Sequence, residues 1–224
     1  MNSFRNKVNS RSKTKFITYS IVFAFLFSVS PVQAQSLEEG FRAALGGDLG
    51  VVKSLVERGN PVDSSDADGS TLLMLASREG HARVVEYLIA QKAAVNRRNK
   101  FGDTALMGAC IKGKLDVVKL LLDHGAEINP EGWTPLHYAA FEGRTEVLKL
   151  LIDKGANKDA IAPNGYSALM LAVRGRHAEA ARAMLYSDPN VNLRTDAGDT
   201  ALKLAREKGD SGLVDLLKRA GAVE

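Results

Sequence analysis

The chain is poor in the residues that carry most protein chemistry. It has one cysteine, Cys110, in 224 residues, so no internal disulfide can form and the fold must hold by packing alone. Four histidines are present, none paired with a second ligand at metal-site spacing. There is no G-x-S-x-G elbow, no P-loop and no dinucleotide fingerprint, which removes the signatures of hydrolases, nucleotide-triphosphate enzymes and dehydrogenases. Carboxylates such as Glu142 and Glu146 are spaced as the solvated face of a helix. These absences point away from an enzyme, a metal or a cofactor. Aromatic residues make up only 6% of the chain, so an exposed one carries weight.

Acidic residues are missing from the first 34 positions, which hold Arg5, Lys7, Arg11, Lys13 and Lys15. The rest of the chain then has 25 basic against 26 acidic residues, a net of −1. A near-neutral body exerts no sequence-wide pull on nucleic acid. After the basic stretch comes an apolar run at positions 16–30, then Pro31 and the small-residue pattern Val32-Gln33-Ala34. Basic, apolar and cleavable segments in that order form a signal peptide over residues 1–34, with cleavage after Ala34. The apolar run of 15 residues is short for a span that needs about 20, although an uncleaved anchor is the alternative. The mature chain, residues 35–224, is expected in the periplasm or outside the cell, without stable membrane insertion and monomeric on its own.

What the sequence does have is a repeat. Glycines 69, 102, 132, 165 and 198 recur at intervals of 33, 30, 33 and 33. Each opens a similar string: GSTLLMLA, GDTALMGA, GWTPLHYA, GYSALMLA and GDTALKLA. Eleven residues after each comes Gly80, Gly113, Gly143, Arg176 or Gly209, then an amphipathic stretch such as VVKLLL at 117–122. A hydroxyl at Thr71, Thr104, Thr134, Ser167 or Thr200 is placed to cap a first helix, and Pro135 suits a first-turn position. Gly59, Gly125, Gly155 and Gly221 fit left-handed caps ending a second helix. Lys92 and Asp188 stand where that cap glycine is expected, Arg176 stands for the glycine between helices, and Gly175 is expected to shift that turn by one residue.

These strings resemble the ankyrin repeat, most closely in TPLHYAA at 134–140. The resemblance implies an all-α solenoid of six helix-turn-helix repeats with short β-hairpin fingers: an N-terminal cap at 37–65, repeats at 66–98, 99–129, 130–161 and 162–194, and a C-terminal cap at 195–224. A terminal repeat has one face without a neighbour, which explains the unmarked start of the first unit. The missing three residues before Gly132 predict a stub between two normal fingers. His137 belongs to the family signature as a helix-start hydrogen-bonding residue, and His81 and His177 occupy turns where histidine is common. His124 precedes a cap glycine, and Cys110 is expected to be a buried, inert thiol.

The resemblance also implies a protein partner on the finger tips and exposed first-helix faces, and no catalytic residue. By position, Phe101, Ile111, Lys112, Trp133, Phe141, Tyr166 and Arg174 are the expected partner-binding residues. The four aromatics among them are expected on one face, although an inward fold of Trp133 and Phe101 would fill the space of the short finger. The expected function is to bind and restrain an exported enzyme, as an immunity or inhibitor protein acting on a target such as a cell-wall hydrolase. The alternatives are an accessory factor for a periplasmic enzyme such as catalase, an effector bound to a host protein, and a hydrolase on an unusual scaffold. A neighbouring hydrolase or catalase gene would separate the first two.

Overall fold

A computed structural model describes residues 31–223. Positions 1–30 of the expected signal peptide lie outside the described residues; positions 31–34 open the first helix. Twelve α-helices follow among the described residues, in six antiparallel pairs. The pairs are α1 (Pro31–Gly46) with α2 (Leu49–Glu57), α3 (Leu72–Glu79) with α4 (Ala82–Ala90), and α5 (Ala105–Ile111) with α6 (Leu115–Asp123). The others are α7 (Pro135–Phe141) with α8 (Thr145–Asp153), α9 (Ala168–Arg174) with α10 (Ala178–Tyr186), and α11 (Ala201–Glu207) with α12 (Ser211–Arg219).

The first helix of each middle repeat starts where its hydroxyl stops the extended chain. The side-chain oxygens of Thr71, Thr104, Thr134, Ser167 and Thr200 accept the amides of Met74, Met107, His137, Met170 and Lys203. A cap of this kind contributes about 1 kcal/mol. These helices are only seven or eight residues long, so packing has to hold them. Alanines at 76, 109, 139, 172 and 205 are fully buried and let neighbouring helices approach. First helices pack on one another more extensively than second helices do, so they form the inner row of the array.

The second helices are amphipathic at a 3.6-residue period. Val84, Val85 and Leu88 are buried, as are Val117, Val118 and Leu121, and Val147, Leu148 and Leu151. Each such side chain contributes about 1.5–3 kcal/mol of hydrophobic stabilisation. In repeats 2 to 5 the residue that opens the second helix makes no cap. Three of these residues reach the preceding repeat instead. His81 Nε2 bonds Leu45 O at 2.8 Å, Arg144 Nε donates to Ile111 O at 2.9 Å, and His177 Nε2 bonds Phe141 O at 2.9 Å. Room for that reach is why residue 143 is glycine. Its φ is +64°, and a Cβ there would meet the His177 ring at 2.5 Å.

A second set of bridges recurs with the same period. Asn96 donates to Gly125 O at 2.9 Å and accepts from Glu127 N at 2.8 Å. Asn129 does the same with Gly155 O and Asn157 N, and Asn192 with Gly221 O and Val223 N. Asp63 and Asp159 stand in the same column and accept from Ala94 N and Asn190 N. Asparagine therefore sits opposite a cap glycine, and aspartate opposite the non-glycine caps Lys92 and Asp188. Among the described residues Lys92, Arg176 and Asp188 are the non-glycine residues at positive φ, at 66°, 61° and 55°. Gly175 has φ −74°, so the expected one-residue shift does not occur: Arg176 takes the left-handed conformation itself.

The fingers are tight turns rather than extended hairpins. Single antiparallel bridges join Ser65 to Thr71 and Ile161 to Ser167. Turn bonds close the others, for example Asn99 N to Asp103 O at 3.0 Å and Thr195 N to Asp199 O at 3.0 Å. Among the described residues no such bond closes the short finger before Gly132. There Pro130 is buried, and Pro163 of the next finger lies 3.8 Å from where a Gly132 Cβ would sit.

The last repeat ends the core by changing two columns. Positions three residues after the capping hydroxyl are buried as Met74, Met107, His137 and Met170, but Lys203 is exposed. Six residues after it, Ser77, Cys110, Ala140 and Val173 are buried, and Arg206 is exposed. A polar outer face is what a terminal repeat needs.

Candidate protein-binding surface

The ends of the inner helices and the finger tips form the open inner face. Ile111, Phe141 and Arg174 each follow their capping residue by seven positions, so they share one row across repeats 3 to 5. Phe141 is 49% exposed and Ile111 is half-buried. Lys112 follows Ile111 and is exposed. Phe101, at the tip of the third finger, is 71% exposed. The turn that carries it is held by Asn99 Oδ1, which accepts the Phe101 and Asp103 amides, each at 2.9 Å.

Trp133 and Tyr166 behave differently from the other two aromatics. Both are half-buried and pack against the core. The indole stacks on Tyr138 at 5.4 Å and meets His137 edge-on at 5.8 Å. Tyr166 lies beneath the Arg174 guanidinium, 5.1 Å away. The four aromatics thus form no common ring cluster: Phe101 and Phe141 project, while Trp133 and Tyr166 are partly taken up by their own repeats.

Sequence reasoning missed Tyr138. Its hydroxyl donates to Asp103 Oδ1 of the preceding repeat at 2.7 Å. Burial raises its pKa, and the Asp103 carboxylate raises it further. The bridges by Asp63, Asn96, Asn129, Asp159 and Asn192 were also missed, although their spacing of 33, 33, 30 and 33 is as regular as that of the glycines and holds the same single short interval. Tyr186, 89% exposed at the end of α10, had no periodic signal to mark it.

The groups with potential chemistry are occupied structurally. His137 is fully buried. Its Nδ1 accepts from Thr134 N at 3.1 Å and from the Thr134 hydroxyl at 2.9 Å, while Nε2 donates to Ala160 O at 2.9 Å. Burial holds its pKa below the ordinary histidine value, against the opposing effect of the Ala160 bond. His124 Nδ1 bonds Leu120 O at 2.8 Å. Cys110 is fully buried, and burial pushes its thiol pKa up, so the thiolate is disfavoured. Among the described residues no group of three or more His, Cys, Asp or Glu could hold a metal ion, and no helix is long and apolar enough to cross a membrane. Two shallow clefts, of about 230 and 120 Å³, lie at Lys203 and Arg206 and between α1 and α2. Both are smaller than the few hundred Å³ typical of a small-molecule site.

Comparison with known proteins gives a uniform result. The family model described as ankyrin repeats (3 copies) matches residues 41–131 and again 91–162, and the single ankyrin-repeat model matches 164–196. A putative ankyrin repeat protein of Rickettsia bellii is 34% identical over 179 residues, which is 74% of this chain and 49% of that protein. The human ankyrin repeat domain-containing protein 39 is 38% identical over 63 residues, 28% of this chain and 34% of that protein. The chain therefore spans half or less of the length of the curated relatives it matches. The crystal structure of the human ASB11 ankyrin repeat domain superposes with a TM-score of 0.76 at 26% identity, covering 82% of this chain and 84% of that one. An ankyrin repeat domain from Acinetobacter baumannii superposes with a TM-score of 0.74 at 29% identity, covering 83% and 98%.

Proposed function

Because the chain belongs to the ankyrin-repeat family and is thereby a protein-interaction module, we propose that it binds and restrains an exported enzyme, as an immunity or inhibitor protein. The target class is a hydrolase that would harm the producing cell, such as one acting on the cell wall. The observation that carries this reading is the basic, apolar and Val32-Gln33-Ala34 order of the first 34 residues, which gives the module an export signal. The exposed Phe101 and Phe141 supply contact residues on a surface without a catalytic constellation. An inhibitor needs no chemistry of its own, only a rigid face that covers a partner's site.

The test has two steps. Residues 35–224, immobilised, are exposed to periplasmic extract, and the retained protein is identified by mass. That protein is then purified and its activity titrated with the module. Stoichiometric loss of a hydrolase activity supports restraint. A captured enzyme whose turnover is unchanged or raised would instead identify an accessory factor, and recovery of the full-length chain from the cytosol would remove the premise of export.

A further inference from the structure

At the inner-helix ends of repeats 2 to 5 the acids Glu79 and Glu142 are paired, while the cations Lys112 and Arg174 are not. Asp103 accepts the Tyr138 hydroxyl at 2.7 Å. Glu79 is paired with Arg78 at 3.1 Å, Glu142 with Arg144 at 3.6 Å, and Asp199 with Lys203 at 2.6 Å. Asp66 Oδ1 accepts the amides of Asp68 and Ser70, each at 2.9 Å. By contrast Lys100, Lys112 and Arg174 are exposed, and among the described residues none has a carboxylate within ion-pair distance. Arg174 lies over the Tyr166 ring instead, a contact that fixes the guanidinium and leaves its charge available. In repeats 3 to 5 the acids of this face without an ion pair among the described residues lie at the fingers: Glu131, and Asp103, whose bond to the neutral Tyr138 phenol leaves its charge in place.

Beside Lys112 and Arg174 stand Ile111 and Phe141 at the helix ends, and Phe101 stands apart on its finger. The row Ile111, Phe141 and Arg174 runs across three successive repeats, with Lys112 beside Ile111 and Lys100 beside Phe101. Along the helix ends apolar anchors thus alternate with cations that no carboxylate pairs.

We propose that this face takes a protein loop that is acidic and carries an apolar side chain, its carboxylates against Lys112 and Arg174 and its apolar group against Ile111 and Phe141. This rests on the reading of the chain as a module that covers a partner, and it names that partner's chemistry. A nucleic acid would also supply negative charge. The near-neutral mature chain gives a phosphate backbone no long-range attraction, however, and the alternation suits a folded loop better. Charge complementarity of this kind sets register and speeds encounter, while the apolar anchors supply most of the affinity.

The probe is a library of randomised 10-residue loops displayed on one fibronectin type III scaffold, selected against residues 35–224, which requires no knowledge of the natural partner. Enriched loops should be net acidic and contain Phe, Leu, Ile or Trp. The double variant Lys112→Glu with Arg174→Glu should weaken the enriched binders at least tenfold, with the melting temperature lowered no further than by Arg174→Ala, which loses the same contact with Tyr166. Raising salt to about 0.5 M should remove much of that difference. Loops with no charge bias or with a basic bias, binding unaffected by the reversal, failure to enrich any loop, or a labelled oligothymidylate bound more tightly than the best loop would each overturn the proposal. The inhibition assay on a captured enzyme is separate: it can succeed with a partner of other chemistry, or fail while the loop preference holds.

Discussion

Tyr138 donates its phenol to Asp103 at 2.7 Å across the junction of the third and fourth repeats, while Trp133 stacks on its ring at 5.4 Å. Burial and the Asp103 carboxylate both raise the phenol's pKa. A group whose folded pKa is raised contributes stability that is complete below its unfolded value, about 10 for tyrosine, and is lost as pH rises through the folded value. Tyr138→Phe should therefore cost about 1 kcal/mol near neutral pH. The gap to the native chain should close above about pH 10, as chemical denaturation along a pH series will show. A gap that stays constant to pH 11 would place the stabilisation elsewhere.

His137 gives the opposite sign. Burial lowers its pKa, so below about 6.5 the unfolded chain binds a proton that the folded chain refuses, and stability falls with pH. The neighbouring repeats indicate a replacement. Met74 and Met107 occupy the same position, and their sulfurs accept the amides of Thr71 at 3.5 Å and Thr104 at 3.4 Å. His137→Met should keep the fold and lose about 1 kcal/mol at pH 7, because Ala160 O loses its donor. That deficit should shrink as pH falls to 5. Parallel stability curves for the two proteins would contradict it.

Lys92 and Gly125 occupy equivalent caps with φ of 66° and 79°. A side chain in that region is strained by about 1 kcal/mol. Lys92→Gly should raise stability by roughly that amount, and Gly125→Ala should lower it by as much. The alanine Cβ would meet no heavy atom within 4 Å, so the change is conformational alone. Urea midpoints moving in the same direction for both variants would sink the argument. Arg176→Gly should gain less, since the guanidinium also donates to Lys208 O at 3.0 Å.

Asn96 makes two bonds to the next repeat, to Gly125 O and from Glu127 N. Asn96→Ala should cost about 1–2 kcal/mol. Asn96→Asp, which keeps the acceptor as Asp63 and Asp159 do, should cost less. Equal losses in a urea titration would mean that the acceptor side of the amide contributes nothing.

The scaffold was far more legible than the surface. Helix starts at Thr104 and Thr134, the left-handed caps at Lys92 and Asp188, and the burial of Cys110 follow from a period written five times, so a weak local signal is multiplied. The placement of Trp133 had no such support, because it sits after the one interval of 30 residues and its partner Tyr138 lies on a helix face where the other repeats carry Leu75, Gly108 and Leu171. A side chain seen once has no column to average over. The bridging column from Asp63 to Asn192 was periodic and still escaped notice, since asparagine and aspartate in a loop are ordinarily credited to local turns.

The shortened interval before Gly132 has a further consequence. Asn129 still reaches Gly155 O at 3.0 Å and Asn157 N at 2.7 Å, and Arg144 still reaches Ile111 O. Three residues are gone, yet the bridges on both sides of the gap hold their usual lengths. Finger length is therefore an independent dimension of the molecule: chain can be cut from or spliced into that loop without moving the helices beside it. Grafting in longer segments there would reshape what the face recognises while the underlying lattice of repeats stays as it is.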